Sequence, residues 1–181
     1  MKTIYFCQRN VENKFLVHYI ISSNFKPNFP NMEKGMQAPD FSFKNSEGNE
    51  QKLSDLKGRK VILYFYPKDS TPGCTAEACD FRDNYNMWLK KGYEVIGISA
   101  DSDASHMKFA EKHSLPFPLV ADIDKTIIKA YGVWGPKKFM GRTFDGILRT
   151  TFIIDAEGKI EEVISKVETK ASTAQILELL K

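Results

Sequence analysis

The sequence is poor in the features that mark several large classes of protein. It has three cysteines in 181 residues, too few and of odd number for a secreted scaffold held by disulfide bonds. It has no run of about 18 apolar residues, so it predicts no membrane-spanning helix. The net charge of +3, all of it from residues 1–31, is far below the basic excess of a nucleic-acid-binding protein. The composition, 42% apolar and 27% charged, instead predicts one ordinary globular domain.

The first 31 residues differ from the rest of the chain. Their apolar run from Phe15 to Ile21 has His18 at its centre and no small-residue cleavage pattern, so it matches a secretory signal poorly. An acid-poor targeting segment is one open interpretation of these residues, and translation that begins at Met32 is another. We favour the interpretation that they are an extension outside the functional protein. We therefore treat residues 1–31 as an extension and residues 32–181 as the domain.

Apolar runs alternate with helical patterns from Met32 onward. Strands are predicted at 60–66, 93–100 and 117–120 and in hairpins at 41–53 and 150–164. Helices are predicted at 75–91, 103–113, 124–131 and 172–180. Together these elements predict an α/β fold in which a mixed sheet is covered by helices on both sides.

The segment from Pro67 to Cys79 joins the end of a buried strand to the start of a helix. In open α/β sheets, ligands bind at this carboxyl edge of the strands. Cys74 falls in the first helical turn, where backbone N–H groups and the helix dipole favour a thiolate. Thr71 brings a hydroxyl close enough to hydrogen-bond the sulfur or a bound oxygen. A single cysteine is more often a small core residue, but this combination favours a nucleophile.

Cys79 follows Cys74 by five residues. On an intact helix this spacing separates the two Cα atoms by about 8.7 Å, whereas a disulfide needs about 4.4–6.8 Å. Either Cys79 fills the core, or the first helical turns unwind during function. A zinc site is disfavoured because there is no second cysteine pair and His106 and His113 lack the spacing of zinc motifs. A redox pair of the C-x-x-C type is also absent.

The pattern Pro67-x-x-x-Thr71-x-x-Cys74 resembles the active-site motif of the peroxiredoxins. With Cys79 five residues later, it is similar to their Q-type subgroup, the bacterioferritin comigratory proteins. The similarity extends from about Met36 to the C-terminus. It implies a thioredoxin-like mixed sheet flanked by helices, with an N-terminal β-hairpin extension, and no metal or organic cofactor. It also implies a thiol-dependent peroxidase that reduces hydrogen peroxide and organic hydroperoxides in antioxidant defence.

The resemblance implies a role for each cysteine of the motif. Cys74 becomes the peroxidatic cysteine, which peroxide oxidises to a sulfenic acid, and Cys79 becomes the resolving cysteine, which forms an intramolecular disulfide with it. Thioredoxin or a similar dithiol reductant is the expected partner that reduces this disulfide. We expect a cytoplasmic monomer, with a dimer as the open alternative, and neither nucleic acid nor a membrane as a partner.

The resemblance also implies roles for other residues around the nucleophile. Pro67 would shield the pocket, and Thr71 would hydrogen-bond the peroxide. Arg149 would be the active-site arginine, with Arg142 as its nearest competitor. Glu77 lies on the helix face of the nucleophile, and we predict that it engages Arg149 or a backbone donor. An ordinary solvated glutamate is the alternative for Glu77.

Two other functions are compatible with the sequence. A thiol–disulfide oxidoreductase with little peroxide specificity would also use two cysteines, but their spacing on one helix argues against it. A non-enzymatic binding domain would keep the fold with structural cysteines. Reaction of Cys74 with peroxide no faster than that of free cysteine would support this second alternative.

Overall fold

The structure is a computed structural model that describes residues 32–45, 47–139 and 141–181. The predictions for residues 1–31, Cys7 among them, lie outside the described residues. The strands are β1 (Ser42–Lys44), β2 (Glu50–Lys52), β3 (Lys60–Phe65), β4 (Tyr93–Ser99), β5 (Leu119–Ala121), β6 (Trp134–Phe139), β7 (Arg142–Ile147), β8 (Thr150–Ile154) and β9 (Ile160–Ile164). The helices are α1 (Pro72–Asp83), α2 (Tyr85–Lys90), α3 (Asp103–His113), α4 (Thr126–Ala130) and α5 (Ser172–Leu179). None of these helices is long and apolar enough to cross a membrane.

A five-stranded mixed sheet with the order β5-β4-β3-β8-β9 lies at the centre of the described part of the chain. Strands β3, β4 and β5 are parallel, whereas β8 runs antiparallel to β3 and to β9. The pairs β1–β2 and β6–β7 form separate two-stranded ribbons. The predicted mixed sheet and the predicted N-terminal hairpin are therefore confirmed.

The alternation of side chains along β3 divides the core into two halves. Val61, Leu63 and Phe65 face the half that α4 and the N-terminal hairpin cover. Ile62, Tyr64 and Tyr66 face the other half, where α1, α2, α3 and α5 pack. Every residue from Val61 to Tyr66 is buried, as expected for a strand covered on both faces.

The helix predicted at 75–91 is wrong in its start and in its continuity. Helix α1 begins at Pro72 because Thr71 is extended, with φ −83° and ψ 149°, and proline suits the first helical position. It ends at Asp83, and Asn84, with φ −106° and ψ 6°, separates it from α2. The earlier start places Cys74 third in the helix, in its first turn.

The ribbon of β6 and β7 was not predicted. Its second strand is exposed over residues 142–145, so it lacks the apolar alternation that marks a half-buried strand. Pro136 lies within β6, which is tolerated because β6 pairs only with β7 in the described structure. Arg142 is the first residue of β7.

Candidate active site

The sheet register brings Arg149 to the start of α1. Strand β3 ends at Phe65, and the chain then turns into α1. Phe65 pairs with Thr150, the first residue of β8, and the two strands are antiparallel. Arg149, which precedes Thr150, therefore lies beside the carboxyl end of β3 and next to the first turn of α1. This topology brings together side chains that are 75 residues apart in the sequence.

Cys74 is buried, with 1% of its surface exposed, and its thiol is free. Nη2 of Arg149 donates a hydrogen bond to its Sγ at 3.1 Å. The first helical turn closes behind the sulfur through a bond from the Thr75 N–H to the Thr71 carbonyl at 2.8 Å. The guanidinium and the helix N-terminus both bring positive charge to the sulfur, the surroundings in which reactive cysteines are found. A cysteine that only fills the core needs neither contact.

Glu77 is fully buried one turn after Cys74. Its Oε2 accepts a hydrogen bond from Nη1 of Arg149, so the engagement that we predicted is present and the solvated alternative is not. One guanidinium thus links Cys74 and Glu77. Burial opposes the charge on Arg149, but the charges of Glu77 and Cys74 outweigh it and its pKa is raised.

The carboxyl of Glu77 holds its proton more tightly than an ordinary glutamate. Burial raises its pKa to about 7, although the charge and hydrogen bond of Arg149 oppose this rise. Its second oxygen, Oε1, is buried and finds no hydrogen-bond donor among the described residues. The charge state of the Glu77–Arg149 pair therefore changes near neutral pH.

This raised pKa predicts a pH dependence of stability. A carboxyl with a higher pKa in the folded state makes folding less favourable as pH rises from about 4.5 to about 7. We expect a Glu77→Gln variant to lose this dependence, a difference on the order of 3 kcal/mol at 1.4 kcal/mol per pKa unit. Urea unfolding of both proteins at pH 5 and pH 8 measures it. Glu178→Gln, at an exposed position, is the control, and the same pH dependence in parent and Glu77→Gln would contradict the prediction.

Thr71 is half-buried at the N-cap of α1, but its side chain makes no capping bond. Its Oγ1 donates to the Lys68 carbonyl at 3.0 Å. Because the hydroxyl proton is engaged there, Oγ1 is presented as an acceptor. We predicted that the Thr71 hydroxyl makes a hydrogen bond to the sulfur or to a bound oxygen. In this geometry Oγ1 can accept a hydrogen bond from the O–H group of a hydroperoxide.

The remaining predicted residues lie at different distances from the site. Pro67 is half-buried two residues after the end of β3, and its shielding role stays a prediction. Arg142 is exposed at the start of β7, and it makes no hydrogen bond or ion pair with the site residues that the structure describes. Arg149 therefore takes the position at the sulfur for which Arg142 was the competitor.

The loop before α1 is anchored by a buried carboxylate that sequence reasoning missed. Oδ1 of Asp69 accepts a bond from the Tyr66 hydroxyl at 2.8 Å. Oδ2 accepts from the Ser105 hydroxyl at 2.7 Å and lies 2.9 Å from Nδ1 of His106. Burial alone would raise the pKa of Asp69, but these three partners lower it. The anchor fastens the loop to α3, so Thr71 and the first turn of α1 have a fixed starting position.

Lys137 was also missed, because it lies in a polar stretch without periodicity. Its Nζ donates to the Ile147 carbonyl at 2.8 Å, two residues before Arg149. Burial and the charge of Arg149 lower its pKa, whereas Cys74 raises it. The ribbon thus adds a second cation to the surroundings of the sulfur.

Cys79 lies on α1, half-buried and with a free thiol. Since Cys74 and Cys79 share one continuous helix, the ideal spacing of about 8.7 Å between their Cα atoms applies and prevents a disulfide in this conformation. Its Sγ lies 4.0 Å from Nδ1 of His113 on α3. Among the described residues, no group of three or more His, Cys, Asp or Glu side chains is placed to hold a metal ion.

Comparison with known proteins identifies the family. The family model described as "AhpC/TSA family" matches residues 34–163, more than half of the chain. The chain belongs to the AhpC/TSA family. Peroxiredoxin Bcp of Bacillus subtilis is 47% identical over 150 residues, which cover 83% of this chain and 96% of the relative. Peroxiredoxin Bcp of Escherichia coli is 45% identical over 150 residues, with the same coverage of both chains.

Solved structures of peroxiredoxins have the same fold. A Xylella fastidiosa PrxQ mutant superposes with a TM-score of 0.76 at 31% identity, covering 83% of this chain and 96% of that one. A mutant of Xanthomonas campestris peroxiredoxin Q gives a TM-score of 0.71 at 36% identity, covering 77% and 89%. The thioredoxin-like fold and the resemblance to Q-type peroxiredoxins are confirmed. The chain is a peroxiredoxin and therefore a thiol-dependent peroxidase.

Proposed function

We propose that this peroxiredoxin reduces hydroperoxides with Cys74 as its nucleophile. The observation that supports this most strongly is the hydrogen bond of 3.1 Å from Arg149 to the buried Cys74 sulfur. The thiolate attacks the terminal oxygen of the hydroperoxide, an S–O bond forms and the O–O bond breaks. Cys74 is oxidised to a sulfenic acid, and the other oxygen leaves as hydroxide or alkoxide. The leaving oxygen takes up from solvent the proton that the thiol released on ionising, which gives water or an alcohol.

The surrounding residues fit the demands of this step. Charge moves from the sulfur to the leaving oxygen, so fixed donors near both atoms stabilise the transition state. Arg149 keeps its charge and has several N–H groups, so it serves the sulfur and the oxygens together. Thr71 accepts the hydroperoxide O–H, and Pro67 closes the pocket against water. Glu77 acts through Arg149 and holds its guanidinium in place.

The substrate class that we propose is hydrogen peroxide together with organic hydroperoxides. One solved relative, the bacterioferritin comigratory protein of Xanthomonas campestris, is described in terms of alkyl peroxide reduction activity. It has a TM-score of 0.71 and 35% identity over 77% of this chain. Arg149 and Thr71 would address only the O–O–H group, which every hydroperoxide has.

Cys79 completes the cycle in this proposal. Its thiol attacks the sulfenic sulfur of Cys74, water leaves, and an intramolecular disulfide forms. The first turns of α1 must unwind for this step because the intact helix keeps the two sulfurs apart. Thioredoxin or a similar dithiol protein then reduces the disulfide by exchange. A monomer working in the reducing cytoplasm suffices for this cycle, because both cysteines belong to one helix.

A Cys79→Ser variant separates the two halves of the cycle. We expect it to reduce one equivalent of hydroperoxide at the parental rate, because Cys74 and Arg149 are unchanged. Its thioredoxin-dependent turnover should fall at least about tenfold, since no disulfide is offered to the reductant. Rapid-mixing assays measure the first step, and thioredoxin-coupled assays measure the second. Cys7→Ser is the matched control, and unchanged thioredoxin-dependent turnover in Cys79→Ser would remove the role of Cys79.

Competition kinetics test the proposed function as a whole. The reduced protein is mixed with hydrogen peroxide or with an organic hydroperoxide, and its rate constants are compared with those of free cysteine. We expect acceleration by several orders of magnitude with both substrates. A protein that exchanged with dithiol substrates but reacted with peroxide only as fast as free cysteine would be an oxidoreductase of another type.

A further inference from the structure

His113 is a titratable residue to which the proposed peroxide step gives no part. It is the last residue of α3, half-buried, and its Nδ1 lies 4.0 Å from Sγ of Cys79. Nη1 of Arg82, on α1, donates to the His113 backbone carbonyl at 2.8 Å. Two contacts between α1 and α3 therefore lie at or near Cys79: one at its sulfur, and one a turn further along the helix.

The resolving step requires proton transfers that α1 alone does not supply. A thiol attacks a sulfenic sulfur as its thiolate, so a base must take the proton from Cys79. The hydroxide that leaves Cys74 must then receive a proton to become water. A neutral imidazole accepts the first proton and, once charged, donates the second, and histidine is the side chain best suited to both near neutral pH.

The packing of α1 indicates which sulfur moves. Ala78 and Phe81 are fully buried in the core, and the Arg82 contact fastens the second half of the helix to α3. The first turn begins at Pro72 and packs into the same core through Cys74. Unwinding this turn frees the Cys74 sulfur to approach Cys79, while Phe81 and the Arg82 contact hold Cys79 beside His113.

We propose that His113 is the general base, and then the general acid, of the resolving step; this inference rests on the proposed function of Cys79. Nδ1 takes the proton of the Cys79 thiol, and the thiolate attacks Sγ of the Cys74 sulfenic acid. An S–S bond forms, the S–O bond breaks, and the departing hydroxide takes the proton back from His113 as water. Cys79 is oxidised, the sulfenic sulfur is reduced, and no further reactant is needed.

The charged groups that contact or adjoin His113 come from two helices. On α1, Arg82 contacts its carbonyl and is paired with Asp83; Asp83 and, to a smaller extent, Cys79 raise the pKa of Arg82, so its guanidinium also lies beside the Cys79 sulfur. On α3, Glu111 and Lys112 precede it, and both are exposed. Since the neutral imidazole starts the reaction and the protonated imidazole completes it, the pH profile of disulfide formation should change when His113 is replaced.

A His113→Asn variant tests the proposal. Parent and variant are reduced and mixed with one equivalent of hydrogen peroxide at a series of pH values. Free thiols in each sample are then alkylated, and the intact mass of the protein is measured by mass spectrometry. We expect disulfide formation in the variant to be about 10²-fold slower and to follow a different pH profile from the parent. Its sulfenic acid should form at a normal rate, and added imidazole should restore part of the lost rate. Lys112→Gln, an exposed change one residue away, should keep the parental profile.

Each result separates this inference from the proposed function. A His113→Asn protein that forms the disulfide at the parental rate with the parental pH profile would overturn the role of His113. A parent protein that forms no Cys74–Cys79 disulfide would overturn the role of Cys79 itself. If the variant is less well folded, the imidazole response decides: a variant that added imidazole does not accelerate overturns the proposal.

Discussion

In a Cys74→Ser variant of this peroxiredoxin, the rate of peroxide turnover is expected to fall at least about 10³-fold while the fold is kept. A serine hydroxyl is not ionised at neutral pH and has no activating base beside it, so it does not attack a peroxide oxygen. The hydroxyl can still accept the hydrogen bond that Arg149 donates to the sulfur, so the buried site stays satisfied. Peroxide consumption in a thioredoxin-coupled assay measures the loss, and circular dichroism checks the fold.

The Cys79→Ser variant is the matched comparison for this experiment. It changes the same atom on the same helix five residues later, and it should keep a full single turnover. Parental peroxide consumption by Cys74→Ser would show that another group is the nucleophile. Loss of the single turnover in both variants would show that the helix, and not one sulfur, had been damaged.

An Arg149→Met variant should reduce the rate constant for hydroperoxide by about 10²–10³-fold, the usual effect of removing one donor that stabilises developing charge. Ionising an ordinary thiol completely at pH 7 raises its reactivity only about thirtyfold. Most of the acceleration must therefore come from donors at the oxygens, and Arg149 is the charged donor in contact with the sulfur. Rapid-mixing kinetics under single-turnover conditions measure the effect.

Two controls make this result specific. Arg142→Met removes the same charge from an exposed position and should change the rate less than about twofold. Removing Arg149 alone leaves Glu77 buried without its partner, so stability also falls; the double variant Glu77→Gln/Arg149→Met removes that penalty. Equal losses in Arg142→Met and Arg149→Met would show that the two arginines act only through overall charge.

The nucleophile segment could be predicted from sequence because its information is local. Pro67, Thr71 and Cys74 lie within eight residues, and their spacing is characteristic of one family. The buried strands could be predicted for a similar reason, since a strand covered on both faces is a continuous apolar run. The bond between Arg149 and Glu77 joins residues 72 apart, and it was predicted only through the family pattern together with the shared helix face.

The contacts that sequence reasoning missed depend on tertiary packing. His113 meets Cys79 because α3 packs against α1, and nothing in the spacing of the two residues indicates this. Lys137 reaches the site on an exposed ribbon, whose polar residues carry no periodic signal. The hydroxyl proton of Thr71 is engaged by a carbonyl in its own loop, a detail of one rotamer that no pattern shows.

The central claim is that peroxide oxidises the sulfur of Cys74, and peptide mass spectrometry tests this claim most directly. The Cys79→Ser variant is treated with one equivalent of hydrogen peroxide, trapped with a sulfenic-acid reagent and digested. We predict that the peptide containing Cys74 carries the reagent on its sulfur, which marks a sulfenic acid there, and that all other peptides keep their mass. Consumption of the peroxide with Cys74 still a free thiol would contradict the account.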